Sequence, residues 1–166
     1  IQTGFITLYN GPKSGASIPD HLHLQAAWPG WLPLENQLPV LNSRFSGVLA
    51  RPGLPPRIFL VVQSLSELEK LFHQMLEALN RVNGNERGGE PELNLALFSR
   101  GPEAVPLLAV HPRARHRPAC FYQEGEGKFM VSPGAADMAG LIILPRREDF
   151  QRLDGRKMRE IYREVC

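Results

Sequence analysis

Asn10-Gly11-Pro12-Lys13-Ser14-Gly15-Ala16-Ser17, followed after Ile18-Pro19-Asp20 by His21-Leu22-His23-Leu24-Gln25, is the stretch that decides how the rest of the chain is read. Its second part places two imidazoles and a carboxamide at alternating positions. In a strand, successive side chains point to opposite faces, so His21, His23 and Gln25 share one face. Leu22 and Leu24 are then directed the other way, into a core. The Gly/Ser-rich first part offers small residues where a backbone can approach phosphate oxygens. Its N–H groups and hydroxyls bind anions without net charge, and Lys13 adds a cation. A neutral histidine beside a phosphate-sized site is a candidate nucleophile toward phosphorus.

Working outward, residues 1–9 read as a strand that turns at Asn10-Gly11-Pro12. Residues 17–27 read as the strand carrying the histidines. Residues 28–41 are rich in Pro, Trp and Leu without a clear period, which predicts a loop that packs its aromatics. Trp28 and Trp31 could stack on a base, but a buried aromatic pair is the plainer reading. Residues 40–50 and 57–63 read as strands. A helix follows, with Leu65, Leu68, Leu71, Phe72, Met75, Leu76 and Leu79 at helical spacing. Ser64 or Ser66 can cap it, each with a glutamate three residues on, and it ends near Asn83-Gly84. Residues 85–91 form a polar, glycine-rich linker.

Residues 93–98 and 105–111 predict a hairpin. A short strand is expected at 128–132, then a helical turn from 135 running into a strand at 140–144. Residues 148–153 read as helical. Asp154 caps a last helix with Met158, Ile161, Tyr162 and Val165 on one face. Mixed strands and helices without regular β-α-β alternation give an α+β class, an antiparallel sheet with helices packed on it.

At 166 residues the chain is long enough to bury a core alone, and 43% hydrophobic with 22% charged residues excludes a disordered chain. A formal charge of +2 gives no general case for nucleic-acid binding. The two cysteines, Cys120 and Cys166, have no metal-type spacing, which favours a reduced, intracellular setting. No apolar run spans a bilayer and no signal peptide is visible, so a cytoplasmic protein is expected. The densest cationic cluster is Arg113, Arg115, His116 and Arg117. It could draw phosphates toward a site, although such clusters are usually solvated loops.

The pattern His-x-His-x-Gln, preceded by Asn-x-Pro-x-Ser-Gly-Ala-Ser, resembles the nucleotidyltransferase branch of the histidine triad superfamily. That branch includes ATP adenylyltransferase (diadenosine tetraphosphate phosphorylase), GDP-galactose phosphorylase and galactose-1-phosphate uridylyltransferase. Superfamily hydrolases carry a third histidine where this chain has Gln25. Looser likeness continues through Glu92-Leu93-Asn94-Leu95-Ala96, residues 110–118 and residues 132–140. The resemblance implies a HIT-like antiparallel sheet and the C-terminal part of a duplicated half-domain enzyme. Residues 1–84 would end the first half-domain, and residues 85–166 would form a second, degenerate one. The element Pro112-Arg113 with His116 is similar to the superfamily's Pro-Arg-x-x-His.

The implied reaction is nucleotidyl transfer, phosphorylase-type, on a dinucleoside polyphosphate or a nucleotide-diphosphate sugar. His23 would be the nucleophile, with one ring nitrogen held by an acceptor such as a backbone carbonyl. Gln25 would hydrogen-bond a phosphate oxygen and His21 would position the site. Asn10, Lys13, Ser14, Gly15, Ser17, Arg113 and His116 fall where the family grips substrate and phosphate. No metal site carries over, because the cysteine pair that accompanies it in the uridylyltransferases has no counterpart here. No cofactor is required on this reading, and a divalent metal stays open. The implied partners are the nucleotide substrate, a phosphate acceptor, an N-terminal fragment of the same protein carrying the strands that precede the histidines in the family, and a second copy. No membrane or nucleic acid is implied. Two alternatives stand beside transfer: a catalytically silent nucleotide-binding module of the same fold, and a nucleotide hydrolase.

Overall fold

Among the described residues six strands, β1 (Ile6–Asn10), β2 (Leu24–Ala27), β3 (Gly47–Leu49), β4 (Arg57–Leu60), β5 (Leu93–Phe98) and β6 (Leu107–Pro112), form one sheet in the order β2-β1-β5-β6-β4-β3. Every pairing in it is antiparallel. The structure, a computed structural model, describes residues 4–40, 47–49, 54–84, 89–99, 101 and 106–166. The fold class is α+β.

The period of two sorts the strand residues onto two faces. Ile6, Leu8, Phe59, Ala96, Phe98, Leu107 and Ala109 build one face. It is covered by Leu32, by Leu34 of a 3-10 helix (Pro33–Val40), and by Ala135 of a helical turn that spans Ala135–Met138. Leu60, Leu93, Leu108 and Val110 build the other, against helix α1 (Leu65–Val82) through Leu68, Leu71, Met75 and Leu79. Helix α1 starts where Ser64 Oγ accepts from the Glu67 N–H at 3.2 Å, and Glu67 Oε2 accepts from the Gln63 N–H at 3.0 Å. Ser64 is therefore the cap of the two serines considered.

After β6 come α2 (Ala119–Tyr122), the turn already described as α3 (Ala135–Met138), α4 (Arg147–Arg152) and α5 (Gly155–Val165). Asp154 caps α5, accepting from the Lys157 N–H at 2.7 Å. The expected stripe holds: Ile161, Tyr162 and Val165 are buried, packing with Cys120, Phe129, Val131 and Met138. The buried Asp149 carboxylate of α4 accepts from the Met130 N–H and from Arg146 and Arg152. The Arg146 guanidinium holds that carboxyl well below the usual carboxylate range.

Several expectations fail, each for a local reason. The histidine strand is short: residues 17–21 turn, with the His21 N–H on the Ile18 carbonyl at 3.3 Å, and Pro19 supplies no N–H for a ladder. Leu22 and Leu24 do not reach a core; they are 77% and 66% exposed, Leu22 ahead of β2 and Leu24 at the start of this edge strand. Residues 28–41 are not a loop hiding its aromatics. Leu32 and Leu34 are the buried side chains, and Trp28 and Trp31 are 75% and 70% exposed. Residues 128–132 pair with no strand, since Asp149 takes the Met130 N–H. Residues 140–144 are not a strand either; Gly140 turns at φ +101° and the Ile143 N–H goes to Asp137 Oδ1 at 2.8 Å. Parts of the expected strand at 40–50 and of the linker at 85–91 lie outside the described residues. The boundary drawn after residue 84 falls between α1 and β5, and strands from both sides of it interleave in the one sheet.

Two truncations test this division into core and edge. Phe59→Ala, at a fully buried side chain, should cost about 3–5 kcal/mol in urea unfolding. Leu24→Ala on the edge strand should stay within about 0.5 kcal/mol of the parent.

Candidate functional site

The residues at one end of the sheet form a polar row. Register places Asn10 opposite Asn94 and Asn94 opposite His111, on the face away from α1. Asn94 Nδ2 donates to Asn10 Oδ1 at 2.9 Å and to the Ser14 carbonyl at 2.6 Å. Asn10 Oδ1 also accepts from the Ala135 N–H at 2.6 Å. These bonds fix the Gly/Ser-rich turn against the start of α3. His111 is fully buried; burial and the nearby Arg57 charge push its pKa down to about 3, so it stays neutral.

The turn itself closes through the Ser14 N–H on the Gly11 carbonyl at 2.9 Å. Gly15 sits at φ +85° with its Cα against the Pro133 carbonyl, where any Cβ would collide. The Gly15 N–H donates to His116 Nδ1 at 3.1 Å. That ring nitrogen must carry a lone pair, and burial, with Arg117 and Arg113 nearby, lowers the pKa of His116 in keeping with a neutral ring.

Arg113 lies beneath the turn, almost wholly buried. Its guanidinium donates to Asn94 Oδ1 and to the carbonyls of Pro133, Val165, Arg115 and His116. It therefore holds the floor of the site rather than projecting into it.

Above this floor lies a cavity of about 350 Å³, lined in part by Asn10, Gly15, Ser17, Gln25, Ser132 and Asp137. Four residues singled out in the sequence, Asn10, Gly15, Ser17 and Gln25, thus meet in one place. Lys13 is exposed on the turn and Ser14 is buried within it. His21 and His23 stand on the approach to β2 with their rings stacked, centroids 6.1 Å apart and planes 14° apart. His23 Nδ1 lies 3.0 Å from the His21 carbonyl oxygen. A carbonyl only accepts, so Nδ1 carries the proton and the lone pair of the neutral ring sits on Nε2.

Sequence reasoning missed the far wall. Ser132, Met130 and Phe121 line the cavity from the C-terminal part of the chain. Arg117 donates to Ser132 Oγ at 2.8 Å and lies over the Phe121 ring at 4.4 Å, so a cation backs that wall. Nothing in residues 117–132 marks them locally as a wall; α5 and α4 bring them there. Asp137 is buried and accepts from the Gly134 and Ile143 N–H groups at 2.9 and 2.8 Å. Burial raises its pKa to about 6. Among the described residues no cluster of three or more His, Cys, Asp or Glu side chains could hold a metal ion. No helix among them is long and apolar enough to cross a membrane.

The antiparallel sheet and the helices packed on it match the fold of a solved structure. The crystal structure of yeast Ap4A phosphorylase Apa2 in complex with AMP superposes with a TM-score of 0.63 at 16% identity, covering 97% of this chain and 55% of that one. The chain thus spans about half the length of that neighbour, and the likeness is one of fold. A family model described as a domain of unknown function (DUF4922) matches residues 1–28, the turn and histidine segment. No curated protein sequence matches the chain.

Gly15→Ala should destabilise the protein by about 2 kcal/mol or more, since the left-handed φ and the Pro133 contact both oppose a Cβ; thermal unfolding reads this. Asp137 gives a pH signature. Its carboxyl holds a proton more tightly folded than at its ordinary value of 3.8. Stability from this group is therefore greatest below about pH 4 and falls as pH rises through about 6, by up to about 3 kcal/mol. Asp137→Asn should remove that part of the slope between pH 4 and 6 in denaturant titrations.

Proposed function

We propose that this protein transfers a nucleotidyl group through His23, on a dinucleoside polyphosphate or nucleotide-diphosphate sugar, with phosphate as acceptor. One observation carries the reading: the His23 Nδ1 proton is engaged by the His21 carbonyl at 3.0 Å, which leaves the Nε2 lone pair as the ring's nucleophile. A fixed tautomer is what attack on phosphorus requires.

In the first step Nε2 attacks the α-phosphorus. A P–N bond forms as the P–O bond to the leaving phosphate breaks, and the leaving group takes the electron pair. In the second step an acceptor phosphate oxygen attacks the same phosphorus, and the P–N bond breaks back to the imidazole. Gln25, a cavity-lining residue two positions along, donates its amide N–H to a phosphate oxygen as charge builds in each step. The Gly15 and Ser17 turn borders the phosphates, with the exposed Lys13 and the Arg117 behind Ser132 supplying positive potential. His21 steadies the His23 ring by stacking and through its carbonyl. Arg113 and His116 act by holding the turn in place. The other partners expected from the sequence, a preceding segment of the same polypeptide or a second copy, would meet the edge strand β2 and the residues leading into it, where Leu24 and Leu22 are exposed.

Intact-mass spectrometry after brief incubation with ATP, GTP, UDP-sugars and dinucleoside polyphosphates tests the reading. The expected result is a nucleoside-monophosphate adduct on the wild type and none on His23→Ala. Gln25→Ala should still form the adduct, slower by about 10²-fold. A wild type that forms no adduct across the whole panel overturns nucleotidyl transfer.

A further inference from the structure

A second cavity, of about 480 Å³, adjoins the polar one and shares Gln25, Ala136 and Ile143 with it. Its character is different. Trp28 and Trp31 line it with their rings largely in solvent, and Leu32, Leu141 and alanine side chains complete the walls. Apart from Gln25, no lining side chain can make a hydrogen bond beyond the indole N–H groups.

The two indoles are exposed, and the backbone between them is tied down. Glu35, in the 3-10 helix, accepts from the Gly30 N–H at 2.8 Å and from the Leu32 N–H at 2.8 Å. One carboxylate thereby fixes the turn between Trp28 and Trp31, with Gly30 at φ +100°. Leu32 and Leu34 on either side of that turn's exit are anchored in the core. Two tryptophans carried on a fixed turn and left out of the core, against an apolar hollow, form a surface that gains free energy when a flat apolar body covers it.

We infer that this cavity binds the planar heteroaromatic ring of a nucleotide whose phosphates occupy the polar cavity across Gln25. The inference rests on the nucleotide reading proposed above and adds to it a subsite and the side chains that form it. The shared wall is the argument for one amphipathic ligand: a charged end in the polar cavity and a flat apolar end on the indoles. A base satisfies the apolar side with its two bare faces. A hexose is a poorer occupant, since its rim of hydroxyls would meet alkyl side chains and lose hydrogen bonds to water without replacement. Both substrate classes proposed carry such a ring, so the cavity takes the nucleotide part of either.

Trp28 and Trp31 are the two tryptophans of the sequence, so intrinsic fluorescence reports this site directly. Titrations would use AMP, a diadenosine polyphosphate, glucose 1-phosphate and inorganic phosphate, with His23 adduct formation followed in parallel by mass. Both adenosine compounds should quench the emission, and the two others should not. Trp28→Ala and Trp31→Ala should each raise the half-saturating concentration roughly ten-fold, as loss of one stacking platform does. Trp28→Phe and Trp31→Phe, which keep a ring, should stay within about three-fold of wild type. Equal quenching by glucose 1-phosphate overturns the base site. An adduct that forms on His23 with unchanged fluorescence, and at unchanged half-saturation in both alanine variants, also overturns it while leaving nucleotidyl transfer intact. Quenching without an adduct supports the base site and overturns transfer; neither binding nor adduct overturns both.

Discussion

A single buried guanidinium organises the site end of this molecule. Arg113 follows directly on β6 and directs its donors at five protein acceptors. Those acceptors belong to β5, to the segment before α3, to the loop after β6 and to the last turn of α5. Burial lowers the Arg113 pKa, yet an arginine stays charged under any ordinary condition. The positive charge must therefore be matched by carbonyl and amide oxygens, and the chain segments that carry those oxygens cannot drift. Asn94 relays the constraint outward to Asn10 and the Ser14 carbonyl. The Gly/Ser turn is thus held two hydrogen bonds away from the charge that fixes it.

This hierarchy explains why a site made of a turn, a frayed strand and an irregular segment can keep one shape. Turns and edge strands are normally the least constrained parts of a domain. Here the turn is tied at Ser14 by Asn94, at Gly15 by His116, and at Asn10 by the start of α3. The histidines lie outside the paired strand, and what orders His23 is its own neighbour's carbonyl and ring. Loop-borne functional groups on a rigid support are the common solution to placing chemistry at a surface.

Much of this was legible in the sequence where a local rule governs. Ser64 and Asp154 announce helix starts, the stripes of α1 and α5 follow from period 3.6, and β5 falls where alternation puts it. The motif residues Asn10, Gly15, Ser17 and Gln25 could be grouped because they are close in the chain. What was illegible depended on partners far away in sequence. Residues 128–132 have a strand's composition, but Asp149 takes the Met130 N–H and the Cys120 carbonyl takes that of Phe129. Leu22 and Leu24 alternate correctly, but both stay exposed among the described residues. Arg113 read as a cation for substrate, and only the positions of Val165, Pro133 and Asn94 reveal it as internal. The exposure of Trp28 and Trp31 was unreadable too: Leu32 and Leu34 are the residues of that segment that enter the core under the sheet.

The interleaved strand order has a consequence for how the chain acquires its shape. β5 and β6 lie between β1 and β4, so the earlier strands cannot become neighbours of one another through the sheet's middle. During vectorial synthesis β1 with β2, and β3 with β4, emerge as separate ribbons, each a marginal object in water. The sheet closes only when the later hairpin slides between them, a search over large sequence separations. Until then both ribbons present unpaired edges, and crowding or slow translation in that interval favours wrong pairing over completion. The same interlock means that a nick between α1 and β5 would leave two pieces joined by whole ladders of hydrogen bonds, able to stay together without a covalent link.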